Sequence, residues 1–180
     1  NDRIPVPLSK SSHAEDKYRE VRFGLVTPNG RRLEVLFRWY NDAIALRYDL
    51  PSPVTITHAF TSFKPVGNPT AFVQYLARYT TSHEHEVVRV PLRDLKREML
   101  LDLPLTLSWA DGTYAAITEA ALRRYAGMGL RRFESAGEIE QRGQLTPRPD
   151  GTKVVSWLPL RRRWRVVLIG ERPGVLLESQ

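Results

Sequence analysis

The chain contains no cysteine, which removes disulfide frameworks, thiolate metal sites and cysteine nucleophiles from consideration and leaves the redox compartment open. No apolar run approaches the roughly 20 residues that a bilayer-spanning helix needs. Glycines are spread singly through the sequence, and neither GxGxxG nor GxxxxGK[ST] occurs, so there is no loop to cradle a nucleotide phosphate. The GxSxG nucleophile elbow is also missing. The serines beside histidines, Ser12 and Ser82, stand in loop-like stretches without an acid at a telling spacing. No repeat, low-complexity tract or Gly/Pro-rich linker divides the chain. It opens at Asn1, with no methionine and no basic-then-apolar leader, which suits a removed signal peptide or a trimmed sequence equally.

What is present is the balance of a soluble globular domain: 180 residues, 42% hydrophobic and 26% charged. A chain of that length buries roughly 70% of its unfolded surface and needs no metal or disulfide to hold a core. One domain over residues 1–180 is the economical reading. The net charge is +7, and arginine supplies 22 of the 27 basic residues. Those charges are scattered, however, and only Arg161, Arg162 and Arg163, beside Arg165, form a run. A run so short reads as a solvated loop or an interdomain contact, not as a phosphate-tracking stripe, so neither nucleic acid nor membrane is expected as a partner.

Residues 1–18 are polar and punctuated by Pro5 and Pro7, and read as an extended N-terminal arm. Val21, Phe23 and Leu25 then alternate, Pro28-Asn29-Gly30 turns the chain, and Leu33, Val35 and Phe37 alternate again, which predicts a hairpin with one buried face. Ile44, Leu46 and Tyr48 share one face of the next strand, with Ala45 and Arg47 on the other, until Pro51 and Pro53 end it. Val54 to His58 begins a further strand and Pro65 to Pro69 is a loop. Phe72 to Tyr79 fits a helical face and a strand composition alike. Leu103, Leu105 and Leu107 run into an Asp111-Gly112 turn and return as Tyr114 to Thr118, the clearest hairpin in the sequence. Lys153 to Trp157, Trp164 to Ile169 and Val175 to Leu177 are read as the last strands. Short strands with a turn about every ten residues predict an all-β antiparallel sandwich.

Two constellations invite a functional reading. On a strand, His83 and His85 would project from one face and Glu84 and Glu86 from the other, a pattern that can clip zinc but more commonly marks an exposed polar edge. Trp39, Trp109, Trp157 and Trp164 could stack on sugar rings, although single strand tryptophans usually belong to a core or an interface.

The segment from Asp102 to Leu130, DLPLTLSWADGTYAAITEAALRRYAGMGL, carries more information. Propensity alone makes Thr118 to Ala126 a helix, with Thr118 as N-cap and Gly127 as terminator. The segment also resembles the amino-terminal domain of glycoside hydrolase family 97, whose pattern "PLTL…DG.Y.A.TEA.L..Y.GM.L" runs as a hairpin into a loop, and the resemblance decides for the hairpin. Three further stretches resemble that family in the same order: Leu36 to Tyr48 (LFRWYNDAIALRY), Phe60 to Pro65 (FTSFKP) and Trp164 to Ser179 (WRVVLIGERPGVLLES). The chain departs from the family pattern at Ala43, where a glycine is usual, at His58-Ala59, where an acidic residue is usual, and at Phe72, where tryptophan is common.

The resemblance implies a large two-sheet β-sandwich, the super-sandwich seen in galactose mutarotase. It implies a following (β/α)8 barrel, absent from this chain, that holds the catalytic carboxylates of an α-glucosidase or α-galactosidase and acts on a carbohydrate substrate. The sandwich packs on that barrel, contributes part of the carbohydrate site and supplies one ligand to an active-site calcium. The matching position here is Glu119; no catalytic residue is expected in the chain itself. Periplasmic or secreted location accompanies the family. Two rivals are a freestanding carbohydrate-binding module, which would use exposed tryptophans, and a basic nucleic-acid binder, which would gather its arginines on one face.

Overall fold

The computed structural model describes residues 2–5, 13–50, 53–58, 60–122, 125–157, 160–161 and 163–179. Among these residues seventeen strands follow one another with a single 3-10 turn and one short helix. They are β1 (Asp2–Pro5), β2 (His13–Asp16), β3 (Arg19–Val26), β4 (Arg32–Trp39), β5 (Ala43–Leu50), β6 (Val54–Ile56), β7 (Ser62–Phe63), β8 (Thr70–Leu76) and β9 (Val87–Pro91). After the turn at Leu92–Asp94 come β10 (Leu100–Leu101), β11 (Leu105–Ser108), β12 (Tyr114–Ala120), β13 (Met128–Ser135), β14 (Glu138–Leu145), β15 (Val154–Ser156), β16 (Leu160–Arg161), β17 (Trp164–Gly170) and α1 (Pro173–Glu178).

Thirteen strands form one antiparallel path, β3-β4-β5-β17-β12-β11-β8-β10-β13-β14-β7, with β16 beside β5 and β9 beside β8. The path divides at β8. Thr70 to Phe72 pair with β11, whereas Tyr75 and Leu76 pair with β10. β10 and β11 are thus two pieces of one strand, interrupted by Asp102, Leu103 and Pro104, with a cis peptide before the proline. Asp102 keeps contact through its N–H, which donates to the Gln74 carbonyl at 2.9 Å. One arm of the path therefore contains β3 to β5, β17, β12 and β11, and the other β10, β13, β14 and β7. This is the antiparallel sandwich that the alternating apolar pattern predicts.

The core draws on both arms. Leu105, Leu107 and Ile117 come from the first, Leu101, Met128, Leu130 and Leu145 from the second, and Ala71 and Val73 from β8, where the path divides. Ile56 and Val154, opposed in the small β6–β15 ladder, and Leu92 and Leu95 from the 3-10 segment complete it. Alternate positions on each strand supply these residues, as a pleat with one dry face requires.

Several strand expectations hold, and others are corrected. Phe72 to Tyr79, ambiguous by pattern, lies in β8 up to Leu76, because β8 pairs with β11 on one side and β9 on the other while Ala71 and Val73 enter the core. Thr118 and Glu119 are strand, not helix: β17 offers a full ladder of hydrogen-bonding partners from Tyr114 to Ala120, and this outweighs local propensity. Val175 to Leu177 is not a strand but lies in α1, where Pro173 occupies the first turn after an extended Arg172. His83 to Glu86 precede β9 and are not strand, so the predicted two-sided projection does not form. The hairpin β3–β4 forms in register, but its apolar face is covered only in part: Val35 of β4 is buried and Leu33 and Phe37 are half-buried, whereas Val21, Phe23 and Leu25 of β3 are exposed. Within the N-terminal arm, β1 and β2 pair with each other; residues 6–12, including Ser12, lie outside the described residues.

Candidate functional site

Glu119 sits at the penultimate position of β12, directly opposite Arg165 of β17. Its face follows from the pleat. Ile117, two residues earlier, is a core residue, so Glu119 continues the inner face of the sheet to the rim of the core. Arg163 and Arg165 flank Trp164 and take the inner face by the same alternation. They are 1% and 2% exposed, which overturns the reading of this basic run as solvated; Arg162 lies outside the described residues. The run's composition is that of a surface loop, but strand pairing fixes its direction and turns two guanidiniums inward.

The Glu119 carboxylate is held from two sides. Oε2 lies 2.5 Å from Nη1 of Arg163, an ionic contact whose angles are not those of a hydrogen bond. Oε1 accepts the N–H of Met128, the first residue of β13, at 3.3 Å. The Arg163 guanidinium lies 5.2 Å from the Tyr125 ring and that of Arg165 5.2 Å from the Tyr48 ring, both at cation–π range. Counting Glu119, Arg163 and Arg165, the inner cluster carries one negative and two positive side chains.

Burial dominates the ionisation of both partners in the closest pair. Desolvation pushes the Glu119 carboxyl above its ordinary range, against the pull of Arg163, the Met128 N–H and Arg165. Burial likewise brings the Arg163 guanidinium down to about 10. A carboxyl with a raised folded-state pKa adds stability that is fully present below its unfolded value and is lost as the pH rises through the folded value. The urea midpoint of the wild-type chain is therefore expected to fall relative to that of Glu119→Gln between pH 4 and pH 7. A rise of the wild type relative to the variant over that range would mean that the Arg163 attraction outweighs burial.

The donor set bears on calcium directly. Calcium takes six to eight hard oxygen ligands. The described residues bring no group of three Asp, Glu or His side chains together, and the place beside Glu119 is taken by a guanidinium. Among the described residues Glu119 offers one carboxylate, which any metal would have to share with Arg163.

The other candidates go elsewhere. Nδ1 of His83 lies 2.8 Å from Oδ2 of Asp102, while His85 donates its N–H to Gln74 Oε1 at 3.3 Å and its ring approaches Thr81. Trp109 donates its indole N–H to the Val66 carbonyl at 2.8 Å, and Trp157 is exposed. Trp164 lies on the outer face, where Arg38 and Arg47 stand 4.6 and 4.4 Å from its ring. Sequence reasoning missed Arg163 and Tyr125. The signal was the Arg-Trp-Arg alternation, which puts Arg163 and Arg165 on one face once the strand is assigned.

Comparison with known families shows where the chain belongs. The family model described as "Glycosyl-hydrolase 97 N-terminal" matches residues 1–180. The chain belongs to that family. The retaining α-galactosidase of Bacteroides thetaiotaomicron is 27% identical over 150 residues, covering 77% of this chain and 22% of that protein. A glycoside hydrolase family 97 enzyme from a Pseudoalteromonas species superposes with a TM-score of 0.84 at 26% identity, over 98% of this chain and 27% of the enzyme. The same enzyme solved with acarbose gives 0.81. A β-arabinopyranosidase at 21% identity and a TM-score of 0.68 shares the fold. This family 97 domain thus spans about a quarter of the length of these relatives. No helix among its described residues is long and apolar enough to cross a membrane.

Proposed function

We propose that this chain is the amino-terminal sandwich of a calcium-dependent α-glycoside hydrolase of the α-glucosidase or α-galactosidase type. In this reading it packs on a (β/α)8 barrel of the same polypeptide, borders the carbohydrate site and lends Glu119 to a calcium ion whose other ligands come from the barrel. The observation that supports it is the match of the family model along the whole chain. Glu119 adds to it: a carboxyl buried beside cationic neighbours, where burial works against its charged form, is what a residue kept for a task outside the fold looks like.

The chain itself is expected to hydrolyse no α-glycoside, since the proposed catalytic carboxylates are not in it. The test is to assay this chain and the full-length parent on nitrophenyl α-glucoside and α-galactoside, with calcium and after chelation. Turnover by the parent alone, lost on chelation and restored by calcium, is the expected result. Turnover by this chain, or a parent indifferent to chelation, would overturn the proposal.

A further inference from the structure

We infer that the cavity between the β3–β4 turn and β6 is a binding site for a small anionic sugar, one that carries a carboxylate, sulfate or phosphate group. The cavity holds about 420 Å³, within the roughly 300–1,000 Å³ of small-molecule sites. Its floor continues the core of the sandwich. Ile56 is a core residue, Leu50 and Val54 pack against that core, and Leu33 of β4 adds a further apolar side chain. Thr55 and Thr57, at alternate positions, are exposed and bring hydroxyls that make no hydrogen bond among the described residues.

Charge decides what such a cavity can take. Arg31, Arg32 and His58 stand around it, and no Asp or Glu is among its lining residues. On this part of the sheet other arginines are neutralised: Glu20 is shared by Arg22 and Arg38, and Asp49 is held by Arg47 at 2.9 Å. Glu34, the remaining acid of β3 to β5, lies outside the lining. Arg31 and Arg32 enter no ion pair among the described residues. An oxyanion brought to two guanidiniums gains short, charge-assisted hydrogen bonds at more than one oxygen.

The polar parts are set before a ligand arrives. Thr27 donates its N–H to the Arg31 carbonyl at 2.8 Å, Arg31 returns its own N–H to Thr27 Oγ1 at 3.0 Å, and that hydroxyl donates to Asn29 Oδ1 at 2.5 Å. Gly30, with a φ of 78°, lets the turn close. His58 is stacked on Phe60, with ring centroids 6.0 Å apart and 14° between the planes. Groups already held in place lose little freedom on binding.

A neutral sugar would leave both guanidiniums without a partner, and a bare inorganic anion would leave the apolar floor and the threonines unused. An anionic sugar satisfies both, with its acid at the arginines, its C–H face on the floor and its hydroxyls at Thr55 and Thr57. The anionic group follows from the cavity alone; that its carrier is a sugar rests on the function proposed above.

The test titrates this chain by calorimetry at low ionic strength, where arginine contacts are least screened. The probes are glucuronate, glucose 6-sulfate, glucose 6-phosphate, glucose and inorganic sulfate. At least one of the three anionic sugars is expected to bind at least tenfold more tightly than glucose and than sulfate, and the one that does identifies the acid group. Arg31→Gln with Arg32→Gln should weaken that binding at least tenfold without lowering the melting temperature. Arg78→Gln with Arg93→Gln, which removes the same charge from exposed positions outside the cavity, should leave it unchanged. Glucose bound as tightly as the anionic sugars would overturn the proposal, as would sulfate bound as tightly as they are, or equal losses in the two double variants. A parent that hydrolyses α-glycosides while this chain binds no anionic sugar would remove the present inference and leave the proposed function standing. Anionic-sugar binding by this chain beside an inactive parent would do the reverse.

Discussion

Replacing Glu119 and Arg163 together, as Glu119→Leu with Arg163→Met, is expected to stabilise this chain by about 1–4 kcal/mol, the range found when buried ion pairs give way to hydrophobic residues of similar volume. The reason lies in the balance inside the pair. Burial is the leading influence on both members, pushing the carboxyl up and the guanidinium down to about 10, so the dry surroundings cost more than the 2.5 Å contact returns. Several Arg163 nitrogens also make no hydrogen bond among the described residues, and the methionine would remove those unpaired donors. Methionine adapts its shape to the space beside Tyr125 without introducing a polar group. Urea unfolding at pH 7 measures the effect as a raised midpoint with unchanged slope. A midpoint lowered by a similar amount would show that the pair holds β12, β13 and β17 together, and would make Glu119 an architectural residue. The expected result separates the two roles, since the same double change in the full-length parent should lower turnover while the sandwich gains stability.

The fold was legible where a single strand face announced itself. Leu105, Leu107 and Ile117 alternate around an Asp-Gly turn, and the structure pairs them as the pattern predicts, with Gly112 at a φ of 87°. The hairpin β13–β14, as long as β3–β4, went unread although Ala136-Gly137 turns it with positive φ at both residues. Its strands read RRFES and EIEQRG, and their arginines and glutamates pair along each strand, Arg132 with Glu134 and Arg142 with Glu140, so the apolar alternation is interrupted by charge. Val175 to Leu177 misled for the opposite reason: three apolar residues resemble a strand, but no neighbouring strand pairs with them and Pro173 starts a helix. The site was legible only in part. Glu119 came from family resemblance, since nothing in TEA marks a buried acid, and its counter-ion lies 44 positions away in a run that looks solvated. Pairing of β12 with β17 brings them together, and sequence spacing carries no trace of that.

In the full-length parent, Glu119→Gln is expected to weaken calcium binding and to lower turnover, each by about 10- to 100-fold, with partial recovery of turnover at high calcium. Glutamine keeps the shape and one carbonyl oxygen but gives up the negative charge that a hard cation favours. Glu119→Ala should be more severe, because it removes both oxygens. Arg163 makes the prediction sharper. Calcium beside Glu119 would face the guanidinium now 2.5 Å from Oε2, so ligation requires that contact to open or to be shared. Arg163→Met in the parent should therefore tighten calcium while Glu119→Gln loosens it. Those two shifts in opposite directions, read by titration calorimetry without substrate, are what a purely structural pair would not produce. Glu98→Gln, at an exposed position outside this cluster, serves as control. For this chain alone, a single carboxylate cannot bind the ion, and added calcium should leave its melting temperature unchanged. If Glu119→Gln left the parent's calcium affinity and turnover both intact, Glu119 would not be a ligand, and the sandwich would be left with a purely architectural role.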